Sequence, residues 1–281
     1  MSTIIKTEDF NLDYTLDCGQ VFRWQRSNEG WIGVVGGHIV IARQEGEALI
    51  VDSALTRDRI IHYFRLDDDM QDIYSQINKD PIMDELIHRF RGLRLIRQEP
   101  WECLISYMAS SCKSIPNIKD SISNLCRSYG EDLGGYYSFP AAQTLAQTTE
   151  SQLRKTKLGF RAVNILEVAR RVEAGDLDME KLFSLDYKQA REMLMGIRGI
   201  GLKIADCVLL FAYNKMGAFP ADTHILSIMN EHYNQYLKGP KNRMNSIIGE
   251  FARDYFGHYA GYAQQYLYYS RIAEHPELPV C

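Results

Sequence analysis

The 281-residue chain is 46% hydrophobic and 24% charged, with a formal net charge of −4, as is typical of a folded globular protein of about two domains. It lacks an apolar run of about eighteen residues and an apolar N-terminal stretch of signal-peptide length, so we expect a soluble, intracellular protein. Six cysteines without C-x-x-C spacing favour free thiols over a disulfide framework, a zinc site or an iron–sulfur cluster.

The first predicted elements are strands within residues 31–52. Two short β-branched runs, 39–42 and 48–51, are bounded by the turn signals Gly36-Gly37 and Glu45-Gly46. This pattern predicts a small antiparallel meander.

Helices are predicted for nearly all of the remaining chain. From about Leu55 the apolar residues recur every three or four positions, which predicts helices around 60–64, 70–77 and 81–90. The same spacing resumes at Trp101, Ile118 and Val163. The sequence has no repeat with a fixed period of twenty to fifty residues, which argues against a solenoid or propeller. We therefore predict an α+β fold, with a small antiparallel sheet domain containing helices in residues 1–98 and an all-helical domain in 99–281.

The acid excess is confined to the predicted N-terminal domain. From Glu99 onward there are 20 basic and 20 acidic residues, so the net charge of −4 belongs to the first 98 residues. Within the neutral part, four cations occur in eight residues with no acid between them: Arg154, Lys155, Lys157 and Arg161. Such a cluster can meet a phosphate backbone, or it can be a solvated helix end.

A glycine hairpin between two helices gives the clearest functional signal. One predicted helix ends near Met195 and the next begins by about Leu202, with Gly199 and Gly201 between them. Glycines permit positive φ angles and close approach, so backbone N–H groups and the positive helix end can bind a phosphate. No strand precedes these glycines and a third glycine is missing, which excludes a G-x-G-x-x-G nucleotide loop.

Lys203 follows the hairpin, in the first turn of the second helix. The helix dipole disfavours a cation there, and a neutral lysine amine is a nucleophile. The alternative is an ordinary exposed helical lysine.

Asp222 lies nineteen residues further on, within the stretch Pro220-Ala221-Asp222, and precedes another amphipathic helix. Its position is that of an N-cap, which would by itself account for the residue. A carboxylate at a helix start can also stabilise a developing cation and take part in proton transfer.

The hairpin, lysine and Pro-x-Asp motif together resemble the helix-hairpin-helix glycosylase superfamily, and the chain is similar to its 8-oxoguanine DNA glycosylases. The resemblance extends from about residue 10 to 272 and includes both predicted domains. Its other motifs lie at residues 18–24, 63–67, 94–98, 102–104, 157–162 and 259–264.

The resemblance implies a bifunctional DNA glycosylase and AP lyase that removes 8-oxoguanine in base-excision repair. Lys203 would attack C1′, expel the base and form a Schiff base, and Asp222 would stabilise positive charge at the sugar. Alternatives are a related glycosylase for other oxidised or ring-opened purines, and a non-catalytic module that only grips the DNA backbone. Lys203 paired with Asp222 argues against the last of these, because backbone gripping requires neither residue.

The resemblance also assigns residues to the extruded base. The Gly19 carbonyl would accept the N7 hydrogen that distinguishes 8-oxoguanine from guanine, and Gln264 would read the Watson–Crick edge. Cys207 and Tyr268 would hold the two faces of the base, and His224 would contact a phosphate.

The positions that would face the opposite strand depart from the family pattern. Cys112 and Asn117 stand where relatives have an asparagine and an arginine, whereas Phe160 (wedge) and Arg161 (cytosine contact) are retained, and Arg154 aligns with another arginine. A cysteine is a poor donor and acceptor, so we expect a weaker preference for cytosine opposite the lesion than in typical members.

No cofactor is expected to be required. The backbone carbonyls of Met195, Ile197 and Ile200 match positions that hold a structural cation in the superfamily, so a monovalent or divalent ion at the hairpin is an expectation. The expected partner is double-stranded DNA containing 8-oxoguanine, bound by a monomer without membrane association.

Overall fold

A computed structural model describes residues 2–111 and 113–274. Its N-terminal part contains five strands: β1 (Ser2–Lys6), β2 (Gln25–Ser27), β3 (Gly30–Val35), β4 (His38–Glu45) and β5 (Ala48–Ser53). They form one antiparallel sheet in the order β1-β5-β4-β3-β2.

The predicted meander is confirmed as β3, β4 and β5, but sequence patterning missed both edge strands. The three residues of β2 are all exposed, so they carry no apolar signal. The short β1 pairs with β5 across a long sequence separation, with Ile4 opposite Ile50. Between β3 and β4, Gly36 and Gly37 both have positive φ angles, as a tight two-residue hairpin requires.

The predicted helices of the N-terminal part are confirmed. They are α2 (Arg57–Tyr63), α3 (Met70–Ile77) and α4 (Pro81–Arg89), and they follow α1 (Leu12–Asp17). Side chains cap α2, α3 and α4: Thr56, Asp69 and Asp80 each accept a backbone N–H from the first turn.

The helical part is confirmed from Pro100 onward. Its helices are α5 (Pro100–Ser110), α6 (Ile115–Tyr129), α7 (Ala142–Ala146), α8 (Glu150–Leu153), α9 (Ala162–Glu173), α10 (Lys181–Ser184), α11 (Tyr187–Met195), α12 (Leu202–Ala212), α13 (Thr223–His232), α14 (Met244–Phe256) and α15 (Ala260–Glu274). Among the described residues, no helix is long and apolar enough to cross a membrane.

Two apolar clusters fill the interior. One joins the sheet to α1 and α2, whereas α3 and α4 pack into the larger cluster of the helical part. Gln20 connects these regions, since its side-chain amide donates to the carbonyls of Thr15 and Arg94 and accepts the Ile96 N–H. The domain boundary near residue 98 stays a prediction.

Candidate functional site

The hairpin joins α11 to α12 where the sequence predicted it. Gly199 has φ +88°, and a Cβ atom there would overlap the Asn164 side chain, so both conformation and space require glycine. Gly201 is the N-cap of α12 and offers no side chain to the first-turn N–H groups. Both glycines are exposed, so those N–H groups can meet an anion.

Lys203 and Asp222 lie at the starts of two different helices and line one cavity. Lys203 is half-buried in the first turn of α12, unlike an ordinary exposed helical lysine. Asp222 is buried and caps α13, accepting the Ile225 N–H at 2.9 Å. The N-cap prediction is therefore confirmed, and the capping bond fixes the direction of the carboxylate.

The Asp222 carboxyl interacts electrostatically with Lys203. Burial raises its pKa, and the Lys203 charge and the Ile225 N–H oppose that shift. The site therefore combines an amine with a carboxyl group whose charge is costly in the absence of a nearby cation.

Six residues singled out from the sequence line the same cavity: Gly19, Lys203, Cys207, Asp222, Gln264 and Tyr268. Four elements supply them: the loop after α1, α12, the α13 N-cap and α15. The cavity has a volume of about 30 Å³, room for one or two waters, so a purine base enters only if side chains move.

Two residues of the cavity lining, Gly19 and Gln264, are suited to contact a ligand. Gly19 has φ +76°, and a Cβ atom there would lie 3.1 Å from the Tyr268 ring, so glycine is required. The buried Gln264 amide oxygen has no hydrogen-bond partner among the described residues. A ligand donor would complete it, because a buried unpaired acceptor is costly.

Cys207 and Tyr268 contribute apolar surface. Burial raises the pKa of the Cys207 thiol to about 12, despite the opposing influence of Lys203, so the neutral thiol faces the cavity at physiological pH. The Tyr268 ring meets the His224 ring edge-on, with centroids 6.0 Å apart. His224 is therefore buried beside the cavity, in the first turn of α13.

Sequence reasoning missed half of the cavity lining: Phe22, Tyr107, Ser110, Phe211, Pro220 and Gln265. Phe22 and Pro220 lie within the motifs 18–24 and 220–222, in which other residues were predicted to form the site. Gln265 had one available signal, since it forms with Gln264 a pair of amides in a helix otherwise rich in aromatic residues.

Sequence reasoning also missed a buried ionic network behind Lys203. The Asp206 carboxylate, 2% exposed, accepts the Tyr187 hydroxyl at 2.7 Å and pairs with Arg191 at 3.1 Å. Arg253 donates to the same Tyr187 hydroxyl. The network joins α11, α12 and α14, and so fixes the helix that carries Lys203.

The predicted wedge region is a kinked turn before α9. Phe160 is 60% exposed, and the Arg161 guanidinium lies 4.3 Å from its ring centre. The adjacent basic cluster is partly neutralised, because Arg154 pairs with Glu150 and Lys157 pairs with Asp120, both at 2.6 Å.

The remaining predicted contacts include Asn117 on α6 and the proposed cation ligands at the hairpin. Asn117 is exposed on the first turn of α6. Cys112 lies outside the described residues. At the hairpin, Met195 is exposed, and the Ile197 carbonyl accepts the Ile200 N–H at 3.1 Å.

Comparisons with known proteins agree with this fold. Residues 2–104 match the family model for the 8-oxoguanine DNA glycosylase N-terminal domain. The N-glycosylase/DNA lyase of Saccharomyces cerevisiae is 30% identical over 95% of this chain and 85% of its own. The structure of MBOgg1 with a low-affinity DNA ligand has a TM-score of 0.90 at 36% identity, covering 97% and 96% of the two chains. The Clostridium acetobutylicum 8-oxoguanine glycosylase/lyase, bound to duplex DNA with cytosine opposite 8-oxoguanine, has a TM-score of 0.88 at 31% identity, covering 98% of each chain.

Proposed function

The chain belongs to the N-glycosylase/DNA lyase family, and on that premise we propose that it excises 8-oxoguanine from duplex DNA inside the cell and cleaves the strand at the resulting abasic site. The observation that carries this function is the shared cavity of Lys203 and Asp222, which also contains Gly19 and Gln264. A module that only grips DNA needs no such cavity.

Lys203 is the nucleophile of the proposed mechanism. Its Nζ attacks C1′ of the damaged nucleotide, the bond from C1′ to the base breaks, and the base leaves with the bonding electrons. Loss of a proton from nitrogen and opening of the sugar ring give a protonated imine, which acidifies the C2′ hydrogen. Removal of that hydrogen then expels the 3′ phosphate, so one amine accounts for both activities.

Asp222 stabilises positive charge at the sugar as the base departs. Its carboxylate direction is fixed by the N-cap bond to Ile225, so little reorganisation is needed during the reaction. Its buried charge becomes more favourable as a cation develops beside it.

Recognition of the base uses both polar and apolar residues of the cavity lining. The Gly19 carbonyl accepts the N7 hydrogen of 8-oxoguanine and repels the N7 lone pair of guanine. The unpaired Gln264 oxygen accepts from the Watson–Crick edge. Cys207 and Tyr268 flank the base, and Tyr268 must move because its ring closes the space beside Gly19.

Backbone and side-chain contacts hold the duplex while the base is extruded. Gly199 and Gly201 present N–H groups to a phosphate, and His224 contacts another. Phe160 inserts into the duplex as a wedge, which offsets a few kcal/mol of unstacking. Arg161 and Arg154 meet the opposite strand and its backbone.

We extend the proposal to a cation at the hairpin. The described residues contain no cluster of three metal-ligating side chains, so the carbonyls of Met195, Ile197 and Ile200 would be the ligands. The Ile197 oxygen keeps one lone pair after its hydrogen bond from Ile200, which fits this role. A melting temperature that rises with K⁺, Na⁺ or Mg²⁺, but not with choline at equal ionic strength, would support the site.

Borohydride trapping tests the proposed function. With a duplex carrying one 8-oxoguanine, the natural protein should form a covalent adduct and Lys203→Gln should form none. Lys188→Gln, at an exposed lysine of α11, is the matched control and should form the adduct normally. An adduct that survives in Lys203→Gln would refute the assigned nucleophile.

A further inference from the structure

The carbonyls on either side of Gly19 are both held by buried side chains. The Cys18 carbonyl accepts the Gln265 side-chain amide at 2.8 Å. The Gln20 carbonyl accepts the Tyr107 hydroxyl at 3.0 Å and the Gln98 amide at 2.7 Å. The Gly19 carbonyl lies between these two carbonyls in the chain. Within residues 2–111 and 113–274, the structure shows no hydrogen bond that it accepts.

These flanking bonds restrict a loop that would otherwise be adaptable. Glycine has more backbone freedom than any other residue, so the peptide plane after Gly19 can rotate unless its neighbours are fixed. Gln265 fixes the plane before Gly19, and Tyr107 and Gln98 fix the plane beyond Gln20. Both cavity-lining donors, Gln265 and Tyr107, are buried, so water does not compete for these bonds.

The helix that holds the loop also carries a base-reading residue. Gln264 and Gln265 are adjacent in α15, and both side chains line the cavity. The amide proposed to read one edge of the base and the amide that fixes the Gly19 loop therefore share one rigid backbone. A shift of α15 would displace both recognition groups together.

We propose that Gln265, with Tyr107 and Gln98 on the other side of the loop, is a positioning residue that aims the Gly19 carbonyl at N7 and thereby sets how well the site recognises 8-oxoguanine. The inference rests on the proposed function, because it requires the Gly19 carbonyl to read the base. Recognition at N7 depends on direction, since a hydrogen bond weakens steeply when its angle is poor.

The test compares two substrates that differ in whether a base must be read. Gln265→Met keeps the length of the side chain and removes its donor. In single-turnover assays with the full chain, the rate of 8-oxoguanine excision divided by the rate of cleavage at a preformed abasic site should fall about tenfold, the effect of roughly one lost hydrogen bond. Ser270→Ala, on the same helix with its hydroxyl donating to the Leu267 carbonyl, should retain both rates.

Two further variants keep the inference testable if Gln265→Met does not fold. Tyr107→Phe should lower the ratio only slightly, because Gln98 still donates to the same carbonyl. Adding Gln98→Met should lower it to the level expected of Gln265→Met. A parallel loss of both rates, or an unchanged ratio in all variants, would overturn the positioning role. A natural protein that cleaves neither substrate would instead overturn the proposed function.

Discussion

Replacing Asp206 with asparagine should change how the stability of the protein depends on pH. Asp206 is 2% exposed, and burial raises its pKa from 3.8 to about 6 even though Arg191 and Tyr187 favour the charged form. In the unfolded chain the carboxyl regains its ordinary pKa. As pH rises from about 4 to 6, the unfolded state therefore loses its proton first, and the folded state loses stability.

The size of the effect follows from the shift in pKa. A difference of roughly two units corresponds to about 3 kcal/mol, present as added stability below pH 4 and lost by pH 7. Asparagine has no proton to lose, so Asp206→Asn lacks this dependence. The free energy of unfolding of the variant minus that of the natural protein should rise by about 3 kcal/mol between pH 4 and pH 7.

Urea unfolding at several pH values measures this difference directly, because other titrating groups cancel in the comparison of two proteins. Asp52→Asn, at a half-exposed carboxylate in the sheet, is the control and should show a much smaller change. A difference for Asp206→Asn that stays flat, or that falls as pH rises, would show that the ion pair with Arg191 outweighs burial and would refute the reasoning.

Three further outcomes are expected. Alkylation of Cys207 followed by mass spectrometry should be slow at neutral pH and should rise about tenfold per pH unit to pH 10, because its thiol pKa is about 12; a plateau near pH 8 would contradict this. Excision measured opposite C, A, G and T should show only a modest cytosine preference, because the resemblance places Cys112 and Asn117 where relatives have an asparagine and an arginine; a preference of several orders of magnitude would refute it. DNA affinity should depend weakly on salt, because Arg154 and Lys157 are already paired with acids; a slope typical of about eight or more neutralised phosphates would count against this.

Local sequence signals were sufficient for the fold class and the centre of the site. Helical spacing, the glycine pair and the Pro-x-Asp motif predicted α11, the hairpin, α12 and the Asp222 cap. Each of these depends on interactions within a few residues, so the sequence itself contains the necessary information.

Long-range contacts were not predictable in the same way. The edge strand β1 depends on β5, and the charge of Lys157 is matched by Asp120, which lies 37 residues earlier. The positive charge of the four-cation cluster is therefore smaller in the fold than the sequence indicates, because ion pairs depend on distance in space.

The sequence by itself determined which chemical groups are available: an amine and a carboxylate at two helix starts, a glycine that tolerates a positive φ, and an amide in an aromatic helix. Only the tertiary structure decided that they share one cavity, that Asp206 fixes the helix that carries Lys203, and that Gln265 holds the Gly19 loop. The physical reason is that bonds such as that between Gln265 and Cys18, 247 residues apart, exist only after the core has packed.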